Sequence, residues 1–259
     1  IGSRTSVHGR KFMKYPGYAS QVHCLDRNIG RILKTLREIG AEQDTLVMFL
    51  SDNGASDQVW GRPLDRPGDP WRRDGTLTRV GNDPSIRPGP AEHFVTCGPP
   101  WANVSNTPFR GYKGGVYEGG IAAPFIVRWP GVVTRAGVVT HRLGHITDIM
   151  ATCLEIADVS YPAEFRGRTV LPLEGRSLLP AFRGREKKNF PTICWELRGN
   201  RAVRRRNWKL VARKGGPWEL YNMENDRTET RDLAGEAPDR ATALQRAFKK
   251  WTHGAKAGG

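Results

Sequence analysis

The apolar run "TLVMFLS" at residues 45–51 places the strongest constraint on the fold. It is apolar throughout and too short for a helix, which is typical of a strand buried on both faces. It follows a helical pattern at residues 18–39, where apolar side chains recur every three or four positions and Gly40 provides a stop. A helix followed by a fully buried strand predicts an α/β fold with a parallel sheet.

Similar helix and strand signals recur further along the chain. "APFIVRWPG" at residues 123–131 predicts a second buried strand, and residues 141–159 predict a second amphipathic helix. The side chains predicted to face inward from that helix are Ile146, Ile149, Met150, Cys153, Leu154 and Ile156. Residues 56–108 are rich in Gly, Pro, Asp and Arg without sustained periodicity, which predicts a functional or disordered insert.

The composition changes near residue 184. Short alternating runs follow, "TICWEL", "RAVR", "WKLVAR" and "WELYNM", and they predict a small antiparallel sheet. Residues 239–251 predict a closing helix with Leu244, Phe248 and Trp251 facing inward. We therefore expect a truncated α/β domain at residues 1–184 and a small α+β subdomain at residues 185–259.

Charge and cysteine content narrow the class of protein. The net charge of +15 attracts anions, which include sulfated or phosphorylated substrates, nucleic acid and acidic membranes. The four cysteines are far apart and lack zinc spacing, so we predict buried thiols rather than disulfides. No run reaches the ~18 apolar residues of a membrane span. The chain opens at Ile1 without a signal peptide, and we expect an interior piece of a longer protein.

Two oxygen-bearing side chains, Asp52 and Asn53, directly follow the first predicted strand. Active sites of open α/β sheets collect at the carboxyl ends of strands. These side chains offer hard oxygen ligands for a cation, and Gly54 would let the backbone turn sharply around it. The alternative is an Asx-type turn, in which both side chains only satisfy the local backbone.

Lys113 lies among five glycines in "NTPFRGYKGGVYEGG", residues 106–120. Such a lysine can approach an oxyanion with backbone N–H groups nearby. It can equally be a solvated surface charge on a glycine-rich turn. The nucleotide motif GxxxxGK[ST] is not matched, because Gly114 follows the lysine.

Taken together and in order, the motifs resemble the C-terminal half of the arylsulfatase family, within the alkaline-phosphatase-like superfamily. The resemblance covers most of residues 18–251. It rests on "LDRNIGRIL", "TLVMFLSDNG", "NTPFRGYKGGVYEGGIAAPFIVRWPG", "EGRSLLPAF", "WELRGNRAVR" and "WELYNM". It implies the C-terminal portion of an alkaline-phosphatase-like mixed-sheet domain, followed by a small antiparallel-sheet-plus-helix subdomain.

The resemblance also implies roles for the site residues. Asp52 and Asn53 would bind Ca²⁺, with Mg²⁺ as the alternative, and Lys113 would be a catalytic residue that contacts the sulfate group. A cation and an ammonium can neutralise charge that develops on sulfuryl oxygens. Arg110 and Glu118 flank the lysine and either orient it or belong to the loop structure. The substrate would be an aryl sulfate or a sulfated carbohydrate, and the family's habit implies a periplasmic or secreted protein.

One departure from the family concerns the nucleophile. These sulfatases convert a Cys or Ser in a C/S-x-P-x-R motif to formylglycine, and no such motif occurs in this sequence. "CGPPW" has Trp101 where the motif needs Arg, so we reject Cys97 as the nucleophile. We expect formylglycine and an Asp pair upstream and an inactive chain by itself. No histidine matches a catalytic position, and we assign His145 to helix packing.

Two alternatives remain. One is a phosphoester or phosphonate hydrolase of the same superfamily. The other is a basic module that binds polyanions through residues 200–216, where cationic side chains surround Trp208. The simpler interpretation of that stretch is a strand pair with a basic exposed face, while Trp208 and Leu210 pack inward. No nucleic-acid partner is expected on that interpretation. The cationic residues are Arg201, Arg204, Arg205, Arg206, Lys209, Arg213 and Lys214.

Overall fold

The computed structural model of the chain describes residues 14–60, 71–82, 89–185 and 191–256. Its first elements are α1 (Lys14–Glu38), β1 (Val47–Leu50), β2 (Arg79–Val80), β3 (His93–Phe94), α2 (Gly98–Asn106), α3 (Glu118–Ile121) and β4 (Phe125–Arg128). Then follow α4 (Thr147–Ile156), β5 (Glu164–Phe165), β6 (Arg168–Thr169) and α5 (Leu179–Phe182). The last are β7 (Thr192–Leu197), β8 (Asn200–Arg205), β9 (Trp208–Ala212), β10 (Trp218–Asn222) and α6 (Pro238–Lys256). Within these ranges, every helix is too short or too polar to span a lipid bilayer.

Strands β1 and β4 form an antiparallel pair over their whole length. The parallel arrangement predicted from the sequence is therefore wrong for these two strands. The reason lies at the strand ends, where the N–H of Ser51 donates to the carbonyl of Pro124 at 3.2 Å and that of Gly54 to the carbonyl of Gly120 at 3.0 Å. These bonds place the start of β4 beside the end of β1, so β4 must run back along its partner.

Much of the apolar surface predicted to be buried in this half is exposed. The exposed residues include Val22, Leu25 and Ile32 of α1, Phe125 and Ile126 of β4, and Met150 of α4 together with Ile146 before it. The prediction of two fully buried strands is therefore wrong for this chain. Of the six side chains predicted to face inward from the second helix, three are exposed and three, Ile149, Leu154 and Ile156, are half-buried. The cause is physical: the described part of the chain places too little against these faces to cover them.

Two of the three buried residues of α4 are polar. Asp148, Ala151 and Thr152 are its buried residues. The Asp148 carboxylate accepts the backbone N–H of Arg176 at 2.8 Å, and the Thr152 hydroxyl accepts that of Leu178 at 2.9 Å. These side chains satisfy the backbone of the segment that leads into α5, which is why polar residues occupy the inward positions.

The C-terminal part contains the four-stranded antiparallel sheet predicted from the alternating runs. Its strand order is β10–β9–β8–β7, so each strand pairs with its neighbour in sequence. The closing helix is also confirmed as α6, in which Leu244 and Phe248 are buried and Trp251 packs against the same cluster.

Both faces of this sheet are covered. One face carries Val203, Leu210 and Leu220 and packs against α6. The other face packs against Val116 and Tyr117, which directly precede α3. Contacts therefore cross the boundary expected near residue 184, and the division of the chain at that point stays a prediction. The sheet is the support on which the segment around Lys113 rests.

Two smaller predictions differ from the structure. Helix α2 lies inside the expected insert, and Pro99 and Pro100 occupy its first turn, where proline is compatible with a helix. None of the four cysteines forms a disulfide, but Cys24 and Cys153 are exposed, so the prediction of buried thiols is wrong for these two. Burial raises the pKa of the Cys194 thiol to about 11.

Candidate active site

Two loops meet at the ends of β1 and β4, and they carry all three predicted site residues. The SDNG loop comprises residues 51–55, and the lysine loop comprises residues 110–120. The N–H of Lys113 donates to the carbonyl of Ala55 at 3.0 Å, and the N–H of Gly54 donates to that of Gly120 at 3.0 Å. These backbone bonds join the loop that carries Asp52 and Asn53 to the loop that carries Lys113.

The side chain of Asn106, at the end of α2, forms hydrogen bonds with both of these loops. Its side-chain oxygen accepts the N–H of Ala55, and its side-chain nitrogen donates to the carbonyl of Gly111, both at 2.9 Å. One amide therefore satisfies one backbone group in each loop. Asn106 was not predicted from the sequence, because no pattern distinguishes an amide that bridges two distant loops from one in a turn.

Close backbone contact explains the glycines at this junction. A Cβ on Gly54 would lie 1.7 Å from the carbonyl oxygen of Gly119, and one on Gly119 would lie 2.4 Å from that of Gly111. Gly54 therefore has a packing role, because only a residue without Cβ lets the loops touch, and its predicted turn around an ion stays a prediction.

The Asx-turn alternative does not describe the SDNG loop. Its turn is closed by the hydroxyl of Ser51, which donates to the carbonyl of Asn53 at 2.8 Å. Among the hydrogen bonds of the described residues, none uses the side chain of Asp52 or Asn53. Asp52 is exposed and Asn53 is half-buried. Their oxygen atoms are therefore available to a ligand.

Lys113 is exposed, and none of the ion pairs within the described ranges includes it. The described residues contain no cluster of three or more His, Cys, Asp or Glu side chains that could hold a metal ion. Asp52 and Asn53 supply two hard oxygen ligands, a donor type that fits Ca²⁺ or Mg²⁺. Since Ca²⁺ takes six to eight oxygen ligands, these two alone would not complete a site.

Arg110 points away from the lysine and into the C-terminal sheet. Its guanidinium donates to the carbonyl of Glu229 at 2.8 Å and to the hydroxyl of Tyr221 at 3.2 Å, and it lies 4.1 Å from the centre of the Tyr117 ring. Tyr117 in turn donates to Glu219 at 2.7 Å. Burial, together with that hydrogen bond, raises the pKa of Tyr117 to about 12.

Glu118 also points away from Lys113, into a buried ion network. Its carboxylate accepts a hydrogen bond from Lys209 Nζ at 2.9 Å, and that ammonium lies 2.7 Å from Glu229 Oε1. Arg204 and Arg227 approach the other oxygen of Glu118 at 3.6 and 3.7 Å. Of the two options for Arg110 and Glu118, the structure favours loop anchoring over direct contact with Lys113.

The two carboxyls of this network differ in acidity. Burial by itself would raise the pKa of Glu118, but the charges of Lys209, Arg204 and Arg227 outweigh it and lower that pKa below its usual value. Burial and the neighbouring Glu118 charge raise the pKa of Glu229, although Lys209 opposes them. Glu118 is therefore the carboxyl that the surrounding cations hold in its ionised form.

In the sheet, some cationic side chains of residues 200–216 point into the protein and others point into solvent. Lys209 is completely inaccessible to solvent, and Arg204 turns toward Glu118, while Arg205, Arg206, Arg213 and Lys214 are exposed. The prediction that Trp208 and Leu210 pack inward is confirmed. Placing Lys209 on an exposed basic face was wrong, because both faces of β9 are covered.

Comparison with known proteins decides the family. The chain matches the Sulfatase family profile over residues 7–159, which is more than half of its length. The chain belongs to the sulfatase family. Residues 112–253 also match the C-terminal profile of N-sulphoglucosamine sulphohydrolase. Both matches include Lys113 and Glu118, whereas Lys209 and Glu229 fall only in the second.

Individual sulfatases cover much of this chain. An uncharacterized sulfatase of Schizosaccharomyces pombe is 36% identical over 86% of this chain and 40% of its own length. The arylsulfatase of Klebsiella aerogenes is 33% identical over 62% of this chain and 33% of its own length. This sulfatase chain thus spans well under half the length of these relatives.

Solved structures show the same fold. Ps i-CgsB in complex with k-i-k-neocarrahexaose superposes with a TM-score of 0.64 at 23% identity, over 90% of this chain and 42% of that one. A protein in complex with its substrate D-glucosamine-2-N,6-O-disulfate superposes with a TM-score of 0.56 at 18% identity, over 91% and 40%. At these identities the likeness establishes the fold, and it agrees with the alkaline-phosphatase-like architecture implied by the sequence.

Proposed function

We propose that this chain forms the C-terminal part of the active site of a sulfuric ester hydrolase. In that site Asp52 and Asn53 bind a divalent cation, and Lys113 binds the sulfate group of the ester. The observation that supports this proposal most directly is the pair of backbone hydrogen bonds that join the two loops, from Lys113 to Ala55 and from Gly54 to Gly120. They join the two loops that carry these residues, and none of the three side chains has a hydrogen bond or ion pair within the described chain.

The cation is proposed to be Ca²⁺, with Mg²⁺ as the alternative. The Asp52 carboxylate and the Asn53 amide oxygen are the ligands this chain would supply, and the remaining ligands would come from other parts of the longer protein. When bound, the ion would act as a Lewis acid that stabilises negative charge on the sulfuryl oxygens. The exposed carboxylate adds a full negative charge that favours cation binding at this loop.

The nucleophile is proposed to be a formylglycine hydrate that attacks sulfur, supplied from outside these residues. This chain's part in the reaction is electrostatic. The Lys113 ammonium would donate hydrogen bonds to the sulfate oxygens, and it would stabilise the charge that builds on them as the ester bond breaks. The lysine loop matters because its backbone fixes where that ammonium can reach.

The proposed substrate is a sulfate ester, with a sulfated carbohydrate preferred over an aryl sulfate. Two observations support this preference: the match to the C-terminal profile of N-sulphoglucosamine sulphohydrolase, and the net charge of +15. A strongly positive surface raises the local concentration of polyanionic substrates.

The test is sulfate release by the full-length protein that contains this chain. A matched pair of variants isolates the site lysine: Lys113→Ala removes the proposed contact, and Lys250→Ala removes an exposed lysine of α6. We expect the first to lower kcat/KM for a sulfate ester by about 100-fold or more, as for other transition-state contacts, and the second to leave it unchanged. Equal activity in both variants would refute the role of Lys113. A preference for the matching phosphate ester would favour a phosphoester hydrolase instead.

A further inference from the structure

The buried ion network lies directly behind the lysine loop. Lys209 Nζ is enclosed between Glu118 and Glu229, and all three side chains are almost completely inaccessible to solvent. Glu229 also accepts the backbone N–H of Glu118 at 2.7 Å through its second oxygen. Arg204 and Arg227 approach the second oxygen of Glu118, so this carboxylate has three cations around it at the point where the lysine loop becomes α3.

A gain in the stability of the fold does not by itself explain why this ion network is present. Removing charged groups from water carries a desolvation cost that their attraction often fails to exceed, so apolar residues of similar size commonly stabilise a core equally well. Ion pairs differ from apolar contacts because they are directional. A carboxylate held between fixed cations therefore has one preferred position. The backbone of Glu229 also has a positive φ of 58°, an uncommon conformation for a residue with a side chain.

The chain connects this network to Lys113 through short bonded steps. The N–H of Gly119 donates to the carbonyl of Arg110 at 2.8 Å, and the N–H of Gly115 donates to that of Tyr112 at 2.9 Å. A second tie reaches the residue after the lysine, where the Asn200 side chain donates to the carbonyl of Gly114 at 3.2 Å. A loop with so many glycines has little conformational preference of its own, so its shape depends on these anchors.

We propose that Lys209 is a positioning residue for Lys113. By holding Glu118 against the C-terminal sheet, it fixes the start of α3 and hence the course of the lysine loop that carries the sulfate contact. This inference rests on the proposed function for its effect on activity, but its structural part can be tested independently. It assigns the C-terminal sheet a role in setting the geometry of the site.

Variants of the full-length protein that contains this chain test the structural part by hydrogen exchange. Lys209→Met alone leaves two buried carboxylates without their shared ammonium, so the main variant is the triple Glu118→Gln/Lys209→Met/Glu229→Gln. Glu118→Gln alone is the milder variant in case the triple does not fold. We expect the amides of Lys113, Gly119 and Gly120 to exchange at least 10-fold faster than in the wild type, while those of β8 and β9 keep their rates. Unchanged exchange at these loop amides in a folded variant would overturn the proposal.

Activity of the full-length protein tests the functional part through a double-mutant cycle. In the wild-type background, the network variant is expected to lower kcat/KM for a sulfate ester 10- to 100-fold. In the Lys113→Ala background, the same change should cost less than threefold, because the positioned group is already absent. Equal losses in both backgrounds would overturn positioning through Lys113. If Lys113→Ala itself leaves activity intact, the proposed function fails, and the exchange experiment still decides whether Lys209 orders the loop.

Discussion

At the scale of single residues, the site depends on which polar side chains make hydrogen bonds within the described chain and which make none. Ser51 closes the turn after β1, Asn106 satisfies one backbone group in each loop, and Gly54 and Gly119 remove the bulk between the loops. The side chains of Asp52 and Asn53 therefore make no structural hydrogen bond among the described residues. A sequence contains the residue types of such a site but carries no sign of which ones are free.

Replacing Gly54 by Ala tests the contact between the loops. The new Cβ would overlap the carbonyl oxygen of Gly119, so we expect Gly54→Ala to destabilise the chain by about 1–3 kcal/mol or more, as overpacking does. Gly30→Ala is the matched control, since a Cβ there meets nothing within 4 Å and alanine favours the helix. Urea unfolding followed by tryptophan fluorescence measures both. Equal stability of the two variants would mean that the loops separate easily.

Tyr117 and Tyr221 give a prediction for alkaline pH. Burial and hydrogen bonds to Glu219 raise the pKa of both phenols, that of Tyr117 to about 12. The folded chain therefore holds these protons more tightly than the unfolded chain, whose tyrosines titrate near ~10. For Tyr117 this contribution to stability is fully present below pH ~10 and is lost as the pH rises through about 12; that of Tyr221 is lost at higher pH still. Phenolate absorbance should show two late-titrating tyrosines, and Glu219→Gln should make both titrate earlier; an unchanged titration would contradict the assignment.

At the scale of elements, sequence patterns predicted local structure well and packing partners poorly. The alternating runs of residues 192–222 predicted all four strands of the C-terminal sheet, because each strand pairs with its neighbour through a short turn. The direction of β4 against β1 depends on bonds between Ser51 and Pro124, which are distant in sequence. The buried role of Lys209 depends on Glu118 and Glu229, which are likewise distant from it.

Helix α4 provides the sharpest test at this scale, because Met150, which was predicted to face inward, is exposed, whereas the polar Thr152 is buried. Thr152→Val would leave the buried N–H of Leu178 without an acceptor, and we expect a loss of about 1–3 kcal/mol in the free energy of unfolding. Met150→Ala removes a side chain that is 55% exposed and should cost under about 0.5 kcal/mol. Urea unfolding of this chain compares the two. A larger loss for Met150→Ala would support the apolar inner face predicted from the sequence.

At the scale of the whole molecule, the two halves differ in how completely they are packed. The C-terminal sheet is covered on both faces, whereas α1 and β4 leave large apolar side chains in solvent, Ile126 with 59% of its surface exposed. Exposed apolar patches favour association and binding of hydrophobic dyes. We therefore expect this chain to bind a dye such as ANS and to self-associate at high concentration. The double variant Leu25→Glu/Ile32→Glu should reduce both effects; a wild-type chain that binds no dye would contradict the exposed faces.

The most direct test of the central claim is a crystal structure of the full-length protein grown with Ca²⁺ and sulfate. The account predicts a cation bound by the Asp52 carboxylate and the Asn53 amide oxygen. It also predicts an oxyanion within hydrogen-bonding distance of Lys113 Nζ, with Glu118 and Lys209 still paired behind the loop. A cation held elsewhere, or a lysine loop turned away from the SDNG loop with the anion bound by other residues, would contradict it.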